Sequence, residues 1–146
     1  MFALALRSPA LAEPIGVEGE CYDVKVRAKP LAQVPSAFPA EDGYIVISWP
    51  WFVDLKVSKV IEGGPVASRL TALAVLHSAY VRKSRTWLLR RNSLGSFNIL
   101  RPEYPDKIVK CGPDAGPAAP YLRPEEGKTL EDYRREGEEL YLEPDE

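Results

Sequence analysis

The distribution of proline constrains the fold of this chain more than any other feature of its sequence. Of 146 residues, 14 are proline and 10 are glycine. Proline fixes φ and lacks the N–H that a helix interior or a central strand needs. Six prolines fall between residues 102 and 124, which are therefore predicted to be extended or polyproline-like. Long helices are excluded from most of the chain.

The middle of the chain has apolar patterns typical of β-strands. Residues 44–48, YIVIS, form a β-branched run directly after a turn signal. Residues 53–57 alternate between apolar and polar side chains, and the apolar phase then slips by one residue to Val60, as it does at a β-bulge. A turn is predicted at residues 62–65, EGGP, because a strand interior does not tolerate this cluster.

Two further segments complete the predicted β region. Residues 70–81 fit either a buried helix or a strand, and we predict a strand. Residues 86–90 and 96–100 flank Asn92–Gly95, which places a glycine where a hairpin often needs positive φ. These two segments are predicted to form a β-hairpin.

A short C-terminal helix is predicted to begin after Thr129. The Thr129 side chain is a suitable N-cap, and Asp132 occupies the third helical position. Gly137 weakens the helix by about 1 kcal/mol relative to alanine, so we expect the helix to be short or packed against the rest of the protein.

Cys21 and Cys111, the two cysteines of the chain, flank the predicted β region. If bonded, they close a loop of about 90 residues, which in the chain-entropy model stabilises the protein by about 4–5 kcal/mol. In a reducing cytoplasm they would remain two inert thiols. The disulfide is the favoured alternative.

The chain divides into three regions. Residues 1–20 are either an N-terminal arm or a truncated signal segment. Residues 10–12 have the small-x-small form of a signal-peptidase site, but the apolar run that precedes them is short for a signal. Residues 21–111 form the predicted β domain. Residues 112–146 are a proline-rich, acidic extension. No stretch approaches the ~20 apolar residues that cross a bilayer, so the protein is predicted to be soluble.

The net charge of -2 hides a strong internal division. Residues 52–111 contain eleven Lys or Arg against four Asp or Glu, whereas residues 112–146 contain four against eleven. The acidic residues of 125–146 are therefore predicted to fold back on the basic region and to compete with an anionic ligand. A solvated tail that only aids solubility is the alternative.

Two groups of residues are candidate binding sites. Trp49 and Trp51 share one face of a strand, where they either pack into the core or an interface or stack on a base or sugar. The second group consists of cations at the ends of two predicted strands, which are either solvated loop charges or a rim for an anionic ligand: Arg82, Lys83, Arg85, Arg90 and Arg91.

The sequence lacks the motifs of several enzyme classes. His77 is the one histidine, and with two distant cysteines it cannot build a close-spaced zinc site. Its position in the predicted strand favours a partly buried structural role over a catalytic one. No nucleophile elbow or nucleotide-binding glycine loop occurs. No catalytic residue, metal or cofactor is predicted.

Residues 52–100 resemble the small OB-like barrels, including the netrin-like and TIMP-like domains of exported proteins. The resemblance covers about a third of the chain: a bulged strand, FVDLKVSKVIEGG, then a long second strand, then TWLLRR-NSLG-SFNIL as a closing hairpin. It implies a mainly β fold, a five- to six-stranded antiparallel barrel or sandwich with a short C-terminal helix. It brings no catalytic motif.

The favoured interpretation is a non-enzymatic binding or adaptor domain, periplasmic or secreted, for a protein or anionic partner. The alternative is a cytoplasmic OB-like binder of single-stranded nucleic acid, restrained by its acidic tail. An enzyme that assembles its site from distant Asp, Glu, Tyr or Arg residues stays open as a third interpretation.

Overall fold

The computed structural model describes residues 20–37 and 47–142. Within these ranges no helix is long and apolar enough to cross a membrane. The signal-peptidase pattern at residues 10–12 and residues 44–46 of a predicted strand lie outside the described residues. Ile47 and Ser48 precede the next strand without belonging to it.

Five of the described strands form a closed barrel. The elements in chain order are β1 (Cys21–Tyr22), β2 (Val24–Pro35), β3 (Trp49–Glu62), β4 (Arg69–Leu76), β5 (Arg85–Arg91), β6 (Phe97–Ile99), β7 (Val109–Lys110) and α1 (Leu130–Tyr141). The barrel order is β2-β3-β4-β6-β5, and β5 pairs again with β2. Neighbouring barrel strands are antiparallel, except that β4 and β6 are parallel. The prediction of a mainly β fold with a small barrel and a short C-terminal helix is confirmed, although one of its strand pairs is parallel.

Side-chain alternation directs one side of each barrel strand inward. It is clearest in residues 24–30 of β2, a strand that the patterns above do not predict, where every second residue is buried. Burying each larger apolar side chain contributes about 1.5–3 kcal/mol. The buried interior consists of Val24, Val26, Ala28, Trp51, Val53, Leu55, Ala72, Ala74, Leu76, Trp87, Leu89, Phe97 and Ile99.

The bulge and the turn predicted for β3 are both present. Ser58 is an extra residue opposite the step from Arg27 to Ala28, and its hydroxyl donates to the carbonyl of Arg27 at 3.2 Å. The strand ends where Gly63 and Gly64 take positive φ values of 79° and 91°, which glycine adopts without steric cost.

The strand predicted over residues 70–81 is present but ends at Leu76. Beyond Leu76, the side-chain amide of Gln33 in β2 holds the chain by donating to the Tyr80 carbonyl and accepting from the Tyr80 N–H. His77, predicted to be partly buried in a strand, is instead exposed, and its Nδ1 lies 2.9 Å from the carbonyl oxygen of Ile47. The predicted partial burial of His77 is therefore wrong.

The predicted hairpin of β5 and β6 is confirmed. Gly95 has a φ of 80°, as the turn requires. The Asn92 side chain accepts hydrogen bonds from the N–H groups of Leu94 and Ser96 at 3.0 and 3.1 Å, a local bond that suits asparagine to turns.

A small clasp, formed by β1, β7 and the two cysteines, lies outside the barrel. Cys21 and Cys111 are at disulfide distance, with their Cα atoms 4.8 Å apart, and β1 pairs in parallel with β7 beside them. Tyr22 of β1 packs with Leu88 and Leu100 in a second apolar cluster, against which Ile108 also packs. The favoured prediction of a disulfide is thus consistent with the geometry.

The C-terminal extension packs along the barrel. Ala118 exchanges backbone hydrogen bonds of 2.9 Å with Arg91 and Ser93. Beyond it, apolar side chains of the extension cover Val34, Phe52 and Leu73 on the outer surface of β2, β3 and β4. The covering residues are Tyr121, Leu122, Leu130 and Tyr133.

Helix α1 is fixed by a cap and by one ion pair. Thr129 and Asp132 form the predicted capping box. On the side facing β3, the Arg134 guanidinium donates two hydrogen bonds of 2.8 Å to the Asp54 carboxylate, which also accepts one from the Thr71 hydroxyl at 2.6 Å. The extension therefore folds back as predicted, but it does so through a cation and an apolar surface. The charges of this ion pair are the reverse of the predicted arrangement, because α1 contributes the cation and the barrel contributes the carboxylate.

We expect Gly137→Ala to destabilise the protein, although alanine favours a helix by about 1 kcal/mol over glycine. Gly137 is buried in α1, and an added Cβ would overlap the carbonyl oxygen of Pro35. Relieving such overpacking costs roughly 1–3 kcal/mol. Urea denaturation measures the change. Gly116→Ala is the control, because an added Cβ there meets nothing within 4 Å. A more stable Gly137→Ala protein would contradict this packing.

The Asp54 carboxylate is expected to make stability depend on acid pH. Its hydrogen bonds with Arg134 are the largest cause that lowers the pKa of Asp54 below its ordinary value. The stabilisation is therefore complete above the unfolded pKa of about 4 and is lost as the pH falls through the folded pKa.

Unfolding free energies of the wild type and Asp54→Asn, measured from neutral to acid pH, test this expectation. The difference between them should be constant near neutrality and shrink below about pH 4. Asp106→Asn, at an exposed position away from α1, serves as the control. A difference that persists unchanged in acid would contradict the role of the ionised Asp54.

Candidate functional site

A groove of about 450 Å³ opens at the end of the barrel where β4 ends and β5 begins, a volume in the range of ligand pockets. We call it the β5 groove. It lies between the loop that follows β4 and the segment that follows β6. Its lining comes from residues 78–81, 85–88 and 99–102, with Leu76 and Pro105.

The β5 groove exists because β6 is shorter than its neighbours. The pairing that joins Leu89 with Ile99 continues by one step, where the Leu100 N–H donates to the Leu88 carbonyl at 2.9 Å. Continued in this register, the ladder would place Pro102 opposite Thr86. Proline has no N–H to donate, so the pairing stops and the first residues of β5 border the groove.

The loop after β4 holds an aromatic side chain across this end of the barrel. The Gln33 amide donates to the Tyr80 carbonyl at 3.1 Å and accepts from the Tyr80 N–H at 2.8 Å. The Tyr80 ring meets Trp87 edge to face, with centroids 4.7 Å apart. Trp87 is itself fixed, because its indole N–H donates to the Ala28 carbonyl at 2.8 Å. The aromatic wall of the groove is thus anchored on β2.

Arg85 lies against this aromatic wall. Its guanidinium carbon is 5.3 Å from the Tyr80 ring centroid and 5.4 Å from the Trp87 ring centroid, the range of cation–π contacts. Arg85 Nε and the Tyr80 hydroxyl are both buried without a hydrogen-bond partner among the described residues. Burial also raises the pKa of Tyr80, against the opposing effect of Arg101 and Arg85.

Arg101 brings a second cation to the groove. Its Nη1 donates to the Val75 carbonyl at 2.8 Å, which spans the gap between β4 and the segment after β6. Neither Arg85 nor Arg101 takes part in any salt bridge between described residues. Within the described part of the chain, the β5 groove therefore combines two guanidinium groups that form no salt bridge and buried polar atoms that form no hydrogen bond.

The structure separates the five cations that the sequence predicts on one rim. Arg82, Lys83 and Arg85 lie at the groove end of β5, whereas Arg90 and Arg91 lie at its other end, roughly 20 Å away at about 3.3 Å per residue. The prediction of one common rim is wrong, because the two termini of a strand lie at opposite ends of the barrel.

The two outlying arginines already have partners. Arg90 forms a salt bridge of 2.9 Å with Asp23 and donates to the Gly116 carbonyl at 2.7 Å. Arg91 lies 5.0 Å from the ring centroid of Phe97. At the groove end, Arg82 donates to the carbonyl of Leu31 at 2.8 Å. Of the predicted cations, Arg85 is the one directed at the groove.

Trp49 and Trp51 share one face as predicted, and that face is the barrel interior. Their ring centroids are 6.4 Å apart, and both indole nitrogens are buried without a hydrogen-bond partner among the described residues. Phe52, on the opposite face, lies under the C-terminal extension. The structure therefore supports packing for both tryptophans.

Sequence patterns miss most of the groove. Tyr80, Trp87 and Arg101 come from three separate segments, and none belongs to a motif. One signal was present: Pro102, two residues after a predicted strand, indicates that the pairing must end there.

A second hollow of about 500 Å³ lies between α1 and the barrel, beside Asp54, Arg69 and Arg134. The ion pair between Asp54 and Arg134 that fixes α1 lines this hollow. Throughout residues 20–37 and 47–142, no group of three or more His, Cys, Asp or Glu side chains is arranged to hold a metal ion.

Comparisons with protein-family models, curated proteins and solved structures found no match for this chain. The case for a site therefore depends on the geometry of this chain, which is that of an arginine-lined groove on a five-stranded barrel.

Proposed function

We propose that this protein is a non-enzymatic binding domain of an oxidising compartment, and that it holds an anionic group of its partner in the β5 groove. The observation that carries the proposal is the pair Arg85 and Arg101. Both line one groove, and both lack a carboxylate partner among the described residues.

The surroundings of Arg85 favour an anionic partner. Its guanidinium is partly shielded from water by Tyr80 and Trp87, and charges attract more strongly where water is excluded. Its buried Nε lacks an acceptor among the described residues, and leaving such a donor unsatisfied costs about 1–3 kcal/mol. A ligand that supplies an acceptor would remove this cost.

The cysteine pair supports a periplasmic or secreted location. Disulfides persist in oxidising compartments and are rare in the cytosol. Cys21 and Cys111 lie at bonding distance and close a long loop around the barrel. Export is thus the location that best fits this geometry.

Single-stranded nucleic acid has weaker support as the partner. OB-folds bind it on the surface of their second and third strands, which here are β3 and β4. The C-terminal extension covers Phe52 and Leu73 on that surface, and Trp49 and Trp51 face inward. Phe52 and the two tryptophans are therefore not free to stack on bases at that surface.

The thiol state of the protein from its own cells tests the location. We expect a non-reduced intact mass two hydrogens below the reduced mass. We also expect reduction to lower the free energy of unfolding by roughly 2–5 kcal/mol. A variant with serine at both positions should not respond to reductant. Two free thiols in the native protein would contradict the oxidising compartment.

Binding to anionic probes tests the groove. Labelled heparin and a labelled oligoglutamate peptide are expected to bind, with affinity falling as salt rises. Arg85→Ala and Arg101→Ala should each weaken binding about tenfold or more, because hydrogen bonds to charged groups contribute about 1.5–3 kcal/mol.

Arg91→Ala is the matched control, since Arg91 lies on the same strand and also stacks on an aromatic ring, but at the other end of the barrel. An equal loss for Arg91→Ala would argue against a localised groove. Failure of every anionic probe, oligothymidylate included, would overturn the proposed function.

A further inference from the structure

One edge of β5 is left without a strand partner at the β5 groove. On its other edge β5 pairs with β2 from Leu89 to Arg85. On the groove edge, pairing with β6 and Leu100 stops at Leu88. Among the described strands, none pairs with residues 85–87 on this edge.

The direction of the backbone groups follows from the hydrogen bonds on either side. The Leu89 carbonyl accepts from the Asp23 N–H at 2.8 Å, whereas the Leu88 carbonyl accepts from the Leu100 N–H at 2.9 Å. Because successive residues of a strand direct their N–H and C=O groups to opposite edges, Thr86 directs both groups toward the groove. Thr86 is also exposed.

The opposite wall of the groove leaves this edge accessible. The β4 side is occupied, since the Val75 carbonyl accepts from Arg101. Pro102 and Pro105 line the outer wall, and neither has an N–H to pair with β5. The β5 edge is therefore the one that an added strand would meet.

We propose that the β5 groove binds an extended, acidic polypeptide segment that pairs with the backbone of Thr86 and directs a carboxylate toward Arg85 and Arg101. This inference rests on the proposed function, because it specifies the class of partner for the same groove. Strand addition is a general mode of peptide recognition, in which the backbone contributes affinity and alternate side chains contribute specificity.

Charge and composition favour an acidic peptide over other anions. The two arginines lie beside an apolar floor that includes Leu76 and Ile99. A peptide of alternating valine and glutamate presents one apolar side and one acidic side, as a paired strand does. A sugar or a nucleotide has no repeating backbone amide for Thr86 to pair with.

The test uses the full chain and an acetylated, amidated octapeptide of alternating valine and glutamate. Fluorescence anisotropy measures its binding, with a valine and lysine octapeptide as the charge control. Thr86→Pro should weaken binding about tenfold, because it removes the edge N–H without removing a donor to β2. Thr86→Ser retains the N–H and should bind as the wild type does.

A second measurement does not depend on the Thr86→Pro variant folding. One peptide is N-methylated at its glutamates and another at its valines. Each peptide then lacks the backbone N–H donors along one of its own two edges. Backbone pairing requires that the two peptides differ, by about tenfold in affinity. Hydrogen exchange of the Thr86 amide should be fast in the free protein and slow in the complex.

The outcomes separate this inference from the proposed function. Binding that needs Arg85 and Arg101 but ignores Thr86→Pro and N-methylation would overturn strand addition and leave the anion groove intact. A slow Thr86 amide in the free protein would mean that the edge is already paired, and would also overturn it. Binding of oligothymidylate in place of the acidic peptide would overturn the peptide as partner. Binding of no probe would overturn both proposals.

Discussion

The pairing of β2 on both of its edges holds the structure together. β2 forms ladders with β3 and with β5, so the barrel closes only when both have formed. It also carries Gln33, which fixes the loop at the β5 groove, and Pro35, against which Gly137 of α1 packs. Contacts between residues distant in sequence carry a loop-closure cost. The pairing of β2 with β5 is such a contact, and the groove loop and α1 both pack on the strand that it fixes.

The C-terminal extension is held by a charge arrangement opposite to its composition. Residues 112–146 are strongly acidic, yet the ion pair to the barrel uses Arg134 of α1 and Asp54 of β3. The acidic residues of the extension that the structure describes are exposed or pair within the helix region, as Glu136 does with Lys128. Net charge therefore predicts poorly where a segment packs, since one geometrically matched pair and an apolar surface decide it.

Local signals in the sequence predicted local structure well. The turn at Asn92–Gly95, the cap at Thr129 and the bulge at Ser58 each depend on a few adjacent residues, and each is present. β2 was not predicted, although residues 24–30 alternate clearly. Pro30 argues against a central strand, but the pairing of β2 with β5 has already ended at Ala28 before the proline. Most of the site was not predicted for another reason. Arg85 and Arg101 come to line one groove only through the register of the closed barrel.

The clasp has a mechanical consequence. The Cα atoms of Cys21 and Cys111 lie 4.8 Å apart, so the chain enters and leaves the barrel at nearly the same point. With the disulfide formed, tension applied between residue 20 and the C-terminal extension would first peel the extension from the barrel surface. The load would then pass through the sulfur–sulfur bond and not through the barrel hydrogen bonds. The described part of the chain between the two cysteines would therefore stay folded under a pull that detaches the extension.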